Sequence, residues 1–109
     1  MANTFKNAID ADVAATRADL YTAPGATTSI LVGFTASNID GVNDATIDVE
    51  LYDSSAVTYT YLLYKAPVPA GGTLTIDNIK VVLETGDKIS CTANLAGDVA
   101  AHASVLEIT

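Results

Sequence analysis

Few side chains in this sequence have the type and spacing that catalysis or metal binding requires. His102 is the only histidine and Cys91 the only cysteine, so together they cannot supply the four ligands of a structural zinc site. A hydrolytic triad needs a nucleophile, a base and an orienting group that converge, but His102 stands among apolar residues and no Gly-x-Ser-x-Gly turn occurs. We therefore expect a non-enzymatic protein with a structural His102 and no catalytic, cofactor-binding or metal-binding residue.

Two groups of acidic residues are the other candidates for chemistry. Asp48 and Glu50 alternate along one predicted strand and so share a face, which we expect to be wet and their charges solvated. Asp40, Asn43 and Asp44 make a loop rich in oxygen atoms, the ligands that calcium prefers. Their spacing does not match a calcium-loop pattern and favours a turn that hydrogen-bonds its own backbone; cation binding by this loop stays an open alternative.

The charge balance limits the partners that the chain can bind. Thirteen acidic residues face five Lys and Arg, giving a formal net charge of −8. Phosphate contacts need Lys and Arg and anionic membrane surfaces attract basic segments, so we expect neither nucleic acid nor membrane as a partner. A solvated acidic surface and a surface that meets a basic partner both fit this charge.

The sequence has neither a signal-peptide pattern nor an apolar run of about 18 residues, which predicts a soluble product made in the cytoplasm.

Short alternations of apolar and polar residues, cut by turn signals, must position these side chains. Ile47, Val49 and Leu51 share one face of the segment 46–52, which predicts a strand with one dry side. A polar link at 53–55 leads into a returning strand over 57–65, and this arrangement predicts a hairpin.

The rest of the chain repeats the strand pattern. Segment 28–37 alternates around Gly33, which marks a bulge or close packing, and segment 66–72 holds two prolines and two glycines, which predicts a corner without regular pairing. Eight or nine antiparallel strands in one domain, 1–109, predict an all-β sandwich, immunoglobulin-like or jelly-roll. One face of 28–37 is expected to carry Ile30, Val32, Phe34 and Ala36. The further strands are expected at 5–8, 17–22, 73–76, 80–84, 88–93 and 99–109. The alanines of 11–20 also give that segment helical propensity, but its β context and the following Pro24 favour a loop and then the strand at 17–22.

The cysteine and the tyrosines have structural interpretations. Cys91 lies in an alternating segment with apolar neighbours on its own face, which predicts a small buried side chain rather than a nucleophile. Tyr59 and Tyr61 are expected on one face of their strand with Leu63, and Tyr64 on the other. They are either core residues or interface anchors, because tyrosine offers a large rigid contact area with a polar tip.

Five segments of strand and turn sequence carry a family resemblance: 2–8 (ANTFKNA), 20–24 (LYTAP), 68–72 (VPAGG), 81–89 (VVLETGDKI) and 104–109 (SVLEIT). Together they resemble a family of small virion structural proteins of tailed bacteriophages, including marine and cyanobacterial phages. The likeness spans nearly the whole chain. It implies a structural role in a virion and transfers no catalytic or binding residue.

The resemblance leads to a specific expectation of function. We expect a capsid decoration or cement protein on the outer surface of the major capsid lattice, where a weak contact repeated many times gains by multivalency. The expected partners are the major capsid protein or other virion proteins, and a homo-oligomer such as a trimer at threefold positions. A neck, tail or fibre-base protein is one alternative. A carbohydrate- or receptor-binding module is another, which the absence of Trp weakens.

Overall fold

The computed structural model describes residues 2–77 and 79–109, and nine strands make up most of them. Their residues are rich in Val, Ile, Thr and Tyr, which fit a pleated surface with one buried side. The predicted all-β fold is confirmed. The strands are β1 (Asn3–Asp10), β2 (Ala18–Thr22), β3 (Thr28–Asn38), β4 (Ala45–Asp53), β5 (Thr58–Val68), β6 (Thr73–Ile76), β7 (Val81–Leu83), β8 (Lys88–Ala93) and β9 (Val99–Ile108).

The strands form two antiparallel sheets whose pairing is nested. One sheet has the order β1-β9-β3-β6, with β7 also pairing β3, and the other has the order β2-β8-β4-β5. The first strand thus pairs with the last, the second with the eighth, the third with β6 and β7, and the fourth with the fifth. This is the pairing of a jelly roll, in which one long antiparallel ribbon folds over on itself. Within the described parts of the chain, no helix has the length and apolar character needed to cross a membrane.

The core lies between the two sheets and consists of aliphatic side chains from the inner face of each. In β9 every second residue from Val99 to Val105 is buried, and in β4 Ile47 and Val49 are buried while Leu51 packs against them. The predicted dry face of β4 is therefore confirmed. Full burial of one such aliphatic side chain contributes about 1.5–3 kcal/mol.

The predicted inner face of β3 is only half right, because a bulge interrupts the alternation. The register of β3 against β9 shifts between Leu31 and Gly33, which supports the interpretation of Gly33 as a bulge residue. Phe34 is buried as predicted, but before the bulge Leu31 is buried and Ile30 pairs with the outward Leu106. One extra residue in a strand moves every preceding side chain to the opposite face.

Strand β5 departs from prediction in the same way. Its register against β4 shifts twice, so Tyr61 lies opposite Glu50 on the outer face while Leu63 lies opposite Val49 on the inner face. Lys65 has a φ of 47°, and its N–H donates to Asp48 Oδ1 at 2.6 Å, which fixes the irregular backbone. The expected face shared by Tyr59, Tyr61 and Leu63 is therefore wrong at Leu63, and the expectation of Tyr64 on the face opposite Tyr61 is also wrong, since the two rings are in contact.

The proline corner is confirmed over part of its predicted length. Ala66–Val68 still pairs with β4, since Pro67 lies on an edge strand where it needs no ladder partner. The chain then turns through Pro69–Gly72, where Gly72 N–H donates to the Pro69 carbonyl at 2.7 Å, and enters the other sheet as β6. The expectation of no pairing in 66–72 is thus wrong for the first three residues.

Candidate functional site

The outer face of the four-stranded sheet carries four of the five tyrosines and three of the five basic residues. Strand alternation explains this placement: Ile47, Val49 and Leu51 point inward, so Glu50 and Tyr52 point outward. We call this surface the tyrosine face. Its members are Arg17, Asp19, Asp48, Glu50, Tyr52, Tyr59, Tyr61, Tyr64, Lys65, Lys88 and Ser90.

The four tyrosine rings form two contacting pairs. Tyr52 and Tyr59 are cross-strand partners with ring centroids 4.7 Å apart and an interplanar angle of 44°. Tyr61 and Tyr64 meet edge to face at 4.8 Å and 71°, within the range that aromatic pairs prefer. The second pair stands in solvent, since Tyr61 is 51% and Tyr64 59% exposed. Of the two interpretations of the tyrosines, surface anchors and core residues, the structure favours the surface.

Arg17 binds both a carboxylate and a ring at the centre of the tyrosine face. Its Nε and Nη2 donate to the two carboxylate oxygens of Glu50 at 3.1 and 2.9 Å, and its guanidinium carbon lies 3.7 Å from the Tyr59 ring centroid. The hydrogen bond to Glu50 raises the pKa of Arg17. Glu50 is only 5% exposed and its carboxylate is bound by Arg17, so the expectation of a solvated carboxylate there is wrong.

Two lysines complete the cation–aromatic contacts. Lys88 Nζ lies 5.5 Å from the Tyr52 ring centroid and 3.3 Å from Asp19 Oδ2, and the Ser90 hydroxyl donates to Asp19 Oδ1 at 3.1 Å. Lys65 Nζ lies 5.4 Å from the ring centroid of Tyr64. The contacts of Lys88 and Arg17 connect β2, β4, β5 and β8, so the rings of Tyr52 and Tyr59 are held by partners from other segments. The contacts among Tyr61, Tyr64 and Lys65 lie within β5.

The tyrosine face is neutral although the protein is strongly acidic. Three cations and three carboxylates balance on it, so the formal net charge of −8 is carried by the other ten acidic residues and two lysines. A face of aromatic rings with balanced charges costs less to remove from water than a surface of unpaired carboxylates. The face can therefore serve as a contact surface for a macromolecule.

The residues singled out for catalysis do not converge. His102 lies on the outer face of the five-stranded sheet, and its Nε2 is 3.5 Å from the Ser104 hydroxyl in an open groove of about 310 Å³ beside β1. Cys91 is buried on the inner face of the other sheet, as predicted, and burial raises its pKa to about 12. The two side chains thus stand on different sheets.

The oxygen-rich loop uses its polar atoms to hold its own turn. Asn43 Nδ2 donates to Asp40 Oδ2 at 3.0 Å, and Asp40 N–H donates to Asn38 Oδ1 at 2.9 Å. Asp44 Oδ1 accepts from the Ala70 N–H at 3.0 Å, which attaches the loop to the proline corner. Among residues 2–77 and 79–109, no group of three or more His, Cys, Asp or Glu is placed to hold a metal ion.

Comparison with protein-family models, with curated proteins and with solved structures gives no match.

Only part of the tyrosine face could be predicted from the sequence. The alternation in β4 placed Glu50 and Tyr52 on the outside, but Arg17 is 33 residues from Glu50 in sequence and no local pattern links them. The one signal was the number of tyrosines within 52–64.

Proposed function

We propose that this protein is a structural component of a bacteriophage virion, a capsid decoration protein that binds the outer surface of the major capsid lattice. The observation that carries the proposal is the tyrosine face, which supplies a neutral aromatic contact surface on an acidic jelly roll. The resemblance of five segments to small phage structural proteins indicates a virion as the assembly. The tyrosine face is the surface that we expect to contact the capsid.

The contacts within the tyrosine face support a binding role. Tyrosine and arginine are the residue types that dominate binding energy at protein interfaces. Because Arg17 already holds Tyr59 and Glu50 in one geometry, little side-chain freedom is lost when a partner arrives. A modest contact repeated over a symmetric shell then gives firm attachment through multivalency. The acidic remainder of the surface would keep decorated particles apart.

A cryo-EM map of the phage particle whose genome encodes this protein, together with the number of copies of the protein per particle, tests the assignment. A decoration protein occurs in on the order of hundreds of copies, whereas a ring in the neck, tail or fibre base holds about six or twelve. The expected map shows the tyrosine face against the capsid lattice. About six or twelve copies would move the protein to the neck or tail, and no copies in the particle would refute a virion role.

Matched variants test the surface itself. The double variant Tyr61→Ala/Tyr64→Ala removes the two exposed rings, and Leu95→Ala is the control, since Leu95 is 57% exposed and lies in the loop between β8 and β9, outside the tyrosine face. In co-sedimentation with particles lacking the protein, we expect the double variant to bind at least about tenfold more weakly and the control to bind normally. Equal binding by all three proteins would show that another surface docks.

A carbohydrate- or receptor-binding module is the second candidate, and the exposed Tyr61–Tyr64 pair favours it. Sugar rings pack their apolar faces on aromatic side chains, and polar groups such as Asp48 and Lys65 stand beside these rings. A glycan array with the wild-type protein and the Tyr61→Ala/Tyr64→Ala variant tests this. A glycan bound by the wild type and lost by the variant would favour this module over a capsid contact.

A further inference from the structure

Three of the four sheet edges carry features that prevent pairing with another strand. At the edge of the four-stranded sheet, β2 is interrupted by a register shift between Asp19 and Tyr21. At the opposite edge β5 has two register shifts and Pro67. In the other sheet, β6 and β7 are only four and three residues long. Bulges, prolines and short strands are the means by which proteins protect sheet edges from other chains.

Strand β1, the fourth edge, has no bulge, proline or shortening, and its only edge-protecting feature is the charge of Lys6 and Asp10. All eight of its residues, 3–10, pair with β9 without a register shift, and none is proline. The strand is also exposed on its outer side, since Phe5 is 77% and Ile9 68% exposed. A long regular edge with apolar side chains in water is a template for pairing with a further strand.

The backbone groups that point away from the sheet can be assigned from the ladder. Ala2 and Thr109 exchange both backbone hydrogen bonds, at 3.2 and 2.9 Å, so they form a hydrogen-bonded pair of the β1–β9 ladder. Because such pairs alternate along antiparallel strands, the even-numbered residues of β1 bond to β9. The odd-numbered residues, Asn3, Phe5, Asn7 and Ile9, therefore direct their N–H and C=O groups to the free edge.

We propose that β1 pairs antiparallel with β1 of a second copy of this chain, about a twofold axis at Asn7. In this register Asn7 lies opposite Asn7 of the second copy, and Phe5 lies opposite Ile9 twice. Three hydrogen-bonded pairs then form across the axis, which adds about six backbone hydrogen bonds. On the inner side Lys6 lies opposite Ala8 of the second copy and is therefore diagonal to both Asp10 and Lys6 of that copy. The lysine pair is offset by the Asp10 carboxylates and by Glu107, whose Oε1 lies 3.6 Å from Lys6 Nζ within each copy.

Neighbouring registers match less well. A twofold axis at Lys6 places two lysines directly opposite each other, which is unfavourable. An axis at Ala8 leaves Phe5 beyond the paired residues, and an axis at Phe5 leaves Ile9 unpaired. Registers shifted by one residue place outward side chains opposite inward ones. The axis at Asn7 pairs both exposed apolar residues and places no like charges directly opposite each other.

The pairing also extends an apolar row that already crosses the sheet. Phe5 pairs with Leu106, Leu106 with Ile30 and Ile30 with Val82 on the outer face. In the proposed dimer this row continues from Phe5 to Ile9 of the second copy, so two five-stranded sheets become one. This dimer uses the sheet opposite the tyrosine face and does not depend on a role in a virion.

Sedimentation velocity of the purified chain with charge variants at the axis tests the register. Asn7 is exposed, so Asn7→Lys and Asn7→Glu should fold, which thermal melts check. Each variant alone places like charges on the axis, and we expect its self-association to weaken by about a hundredfold. An equimolar mixture of the two should recover the dimer as a heterodimer. Thr75→Lys, an exposed outward position on β6, is the control and should dimerise like the wild type.

Other outcomes would overturn the proposal. A wild-type chain that stays monomeric at high micromolar concentration, or one that forms trimers, would exclude the β1 dimer. Variants that each dimerise as strongly as wild type would exclude the axis at Asn7, and so would a mixture that stays monomeric. A β1 dimer that binds no virus particle would support the pairing while contradicting the proposed virion role, so the two proposals fail separately.

Discussion

Tyr21 and Glu107 lie on opposite sheets and are joined by a hydrogen bond of 2.5 Å from the Tyr21 hydroxyl to Glu107 Oε2. The same hydroxyl lies 2.7 Å from Ser29 Oγ, and Lys6 Nζ lies 3.6 Å from the other carboxylate oxygen. Glu107 is buried, so these partners replace the water that its carboxylate loses. The contact links β2 of one sheet to β3 and β9 of the other at one end of the sandwich.

We predict that Tyr21→Phe destabilises the fold through this contact. The variant keeps the ring but removes the donor to Glu107, and an unsatisfied buried acceptor costs about 1–3 kcal/mol. Urea unfolding at neutral pH measures the change. Tyr61→Phe is the control, because its exposed hydroxyl should change the free energy of unfolding by less than about 0.5 kcal/mol. Equal stability of the two variants would mean that the Tyr21 hydroxyl contributes nothing.

The stabilisation by Tyr21 should also disappear in alkali. Burial, and next the hydrogen bond to Glu107, raise the pKa of Tyr21 from 10.0 to about 12. A raised pKa means that folding favours the neutral phenol, so the contribution is complete below pH 10 and is lost as the pH rises towards about 12. The difference in unfolding free energy between the wild type and Tyr21→Phe should narrow over that window. If this free-energy difference stayed constant across the window, the Tyr21 hydroxyl would not be losing a stabilising contact as it ionises.

The assigned faces of β4 give a second prediction. Val49→Asp buries an unpaired charge in the core and should unfold the protein, a loss of more than about 4 kcal/mol. The adjacent Asp48→Asn should change stability by less than about 1 kcal/mol, since an amide oxygen can still accept the hydrogen bond from Lys65 N–H. Thermal melts distinguish the two. Similar tolerance at both positions would refute the faces assigned to β4.

Regular strands could be predicted from the sequence, and irregular ones could not. In β4 and β8 the side chains alternate without interruption where Ile47, Val49, Ile89 and Cys91 face inward, so period-two reasoning placed them correctly. In β3 and β5 a bulge reverses the faces, and its position depends on contacts with other strands, such as the Asp48 carboxylate on Lys65 N–H. Local sequence can suggest a bulge at Gly33 but does not fix which side chains it turns over.

The candidate site shows the same division between local and distant information. The outward position of Tyr52 follows from the pattern of its own strand, and so does that of Glu50. The burial of Glu50 depends on Arg17, which reaches it from the segment before β2. Such a pairing is decided by how the four-stranded sheet places β2 beside β8 and β4, whereas the alternation of β4 alone predicted a solvated carboxylate.

Cys91 gives a third prediction. Burial raises its pKa from 9.0 to about 12, which lowers the thiolate fraction at pH 8 by about a thousandfold. A thiol-specific reagent should therefore label the native protein far more slowly than the protein in denaturing urea. The labelling rate measured against urea concentration should follow the unfolding transition. Rapid labelling of the native state would show that the strand opens locally.

The Arg17–Glu50 pair gives a fourth prediction, tested by a double-mutant cycle of Arg17→Ala, Glu50→Gln and the variant with both changes. Arg17→Ala leaves the buried Glu50 carboxylate without its two donors, so it should lower the urea midpoint. Arg17→Ala/Glu50→Gln should recover part of the loss, because a neutral amide is less costly to bury unpaired than a carboxylate. The urea midpoint of Arg17→Lys should lie between those of the wild type and Arg17→Ala, because lysine keeps the charge but loses the two-point contact with the carboxylate. Independent, additive effects would show that the pair does not couple.

The turn before β8 gives the last prediction, because it combines a strained backbone with a close neighbour. Gly86 has a φ of +88°, and a Cβ there would lie 3.1 Å from Ser54 Oγ, whereas Gly41 has a φ of +82° and open space around it. Any other residue at such a φ is strained by about 1–2 kcal/mol, so both Gly86→Ala and Gly41→Ala should destabilise. Gly86→Ala should cost at least about 1 kcal/mol more through overpacking, because Ser54 is held in place by Asp87, whose Oδ1 accepts from both its N–H and its hydroxyl. Equal losses in urea unfolding would mean that Ser54 can move aside and that this link between the β4–β5 and β7–β8 turns is not rigid.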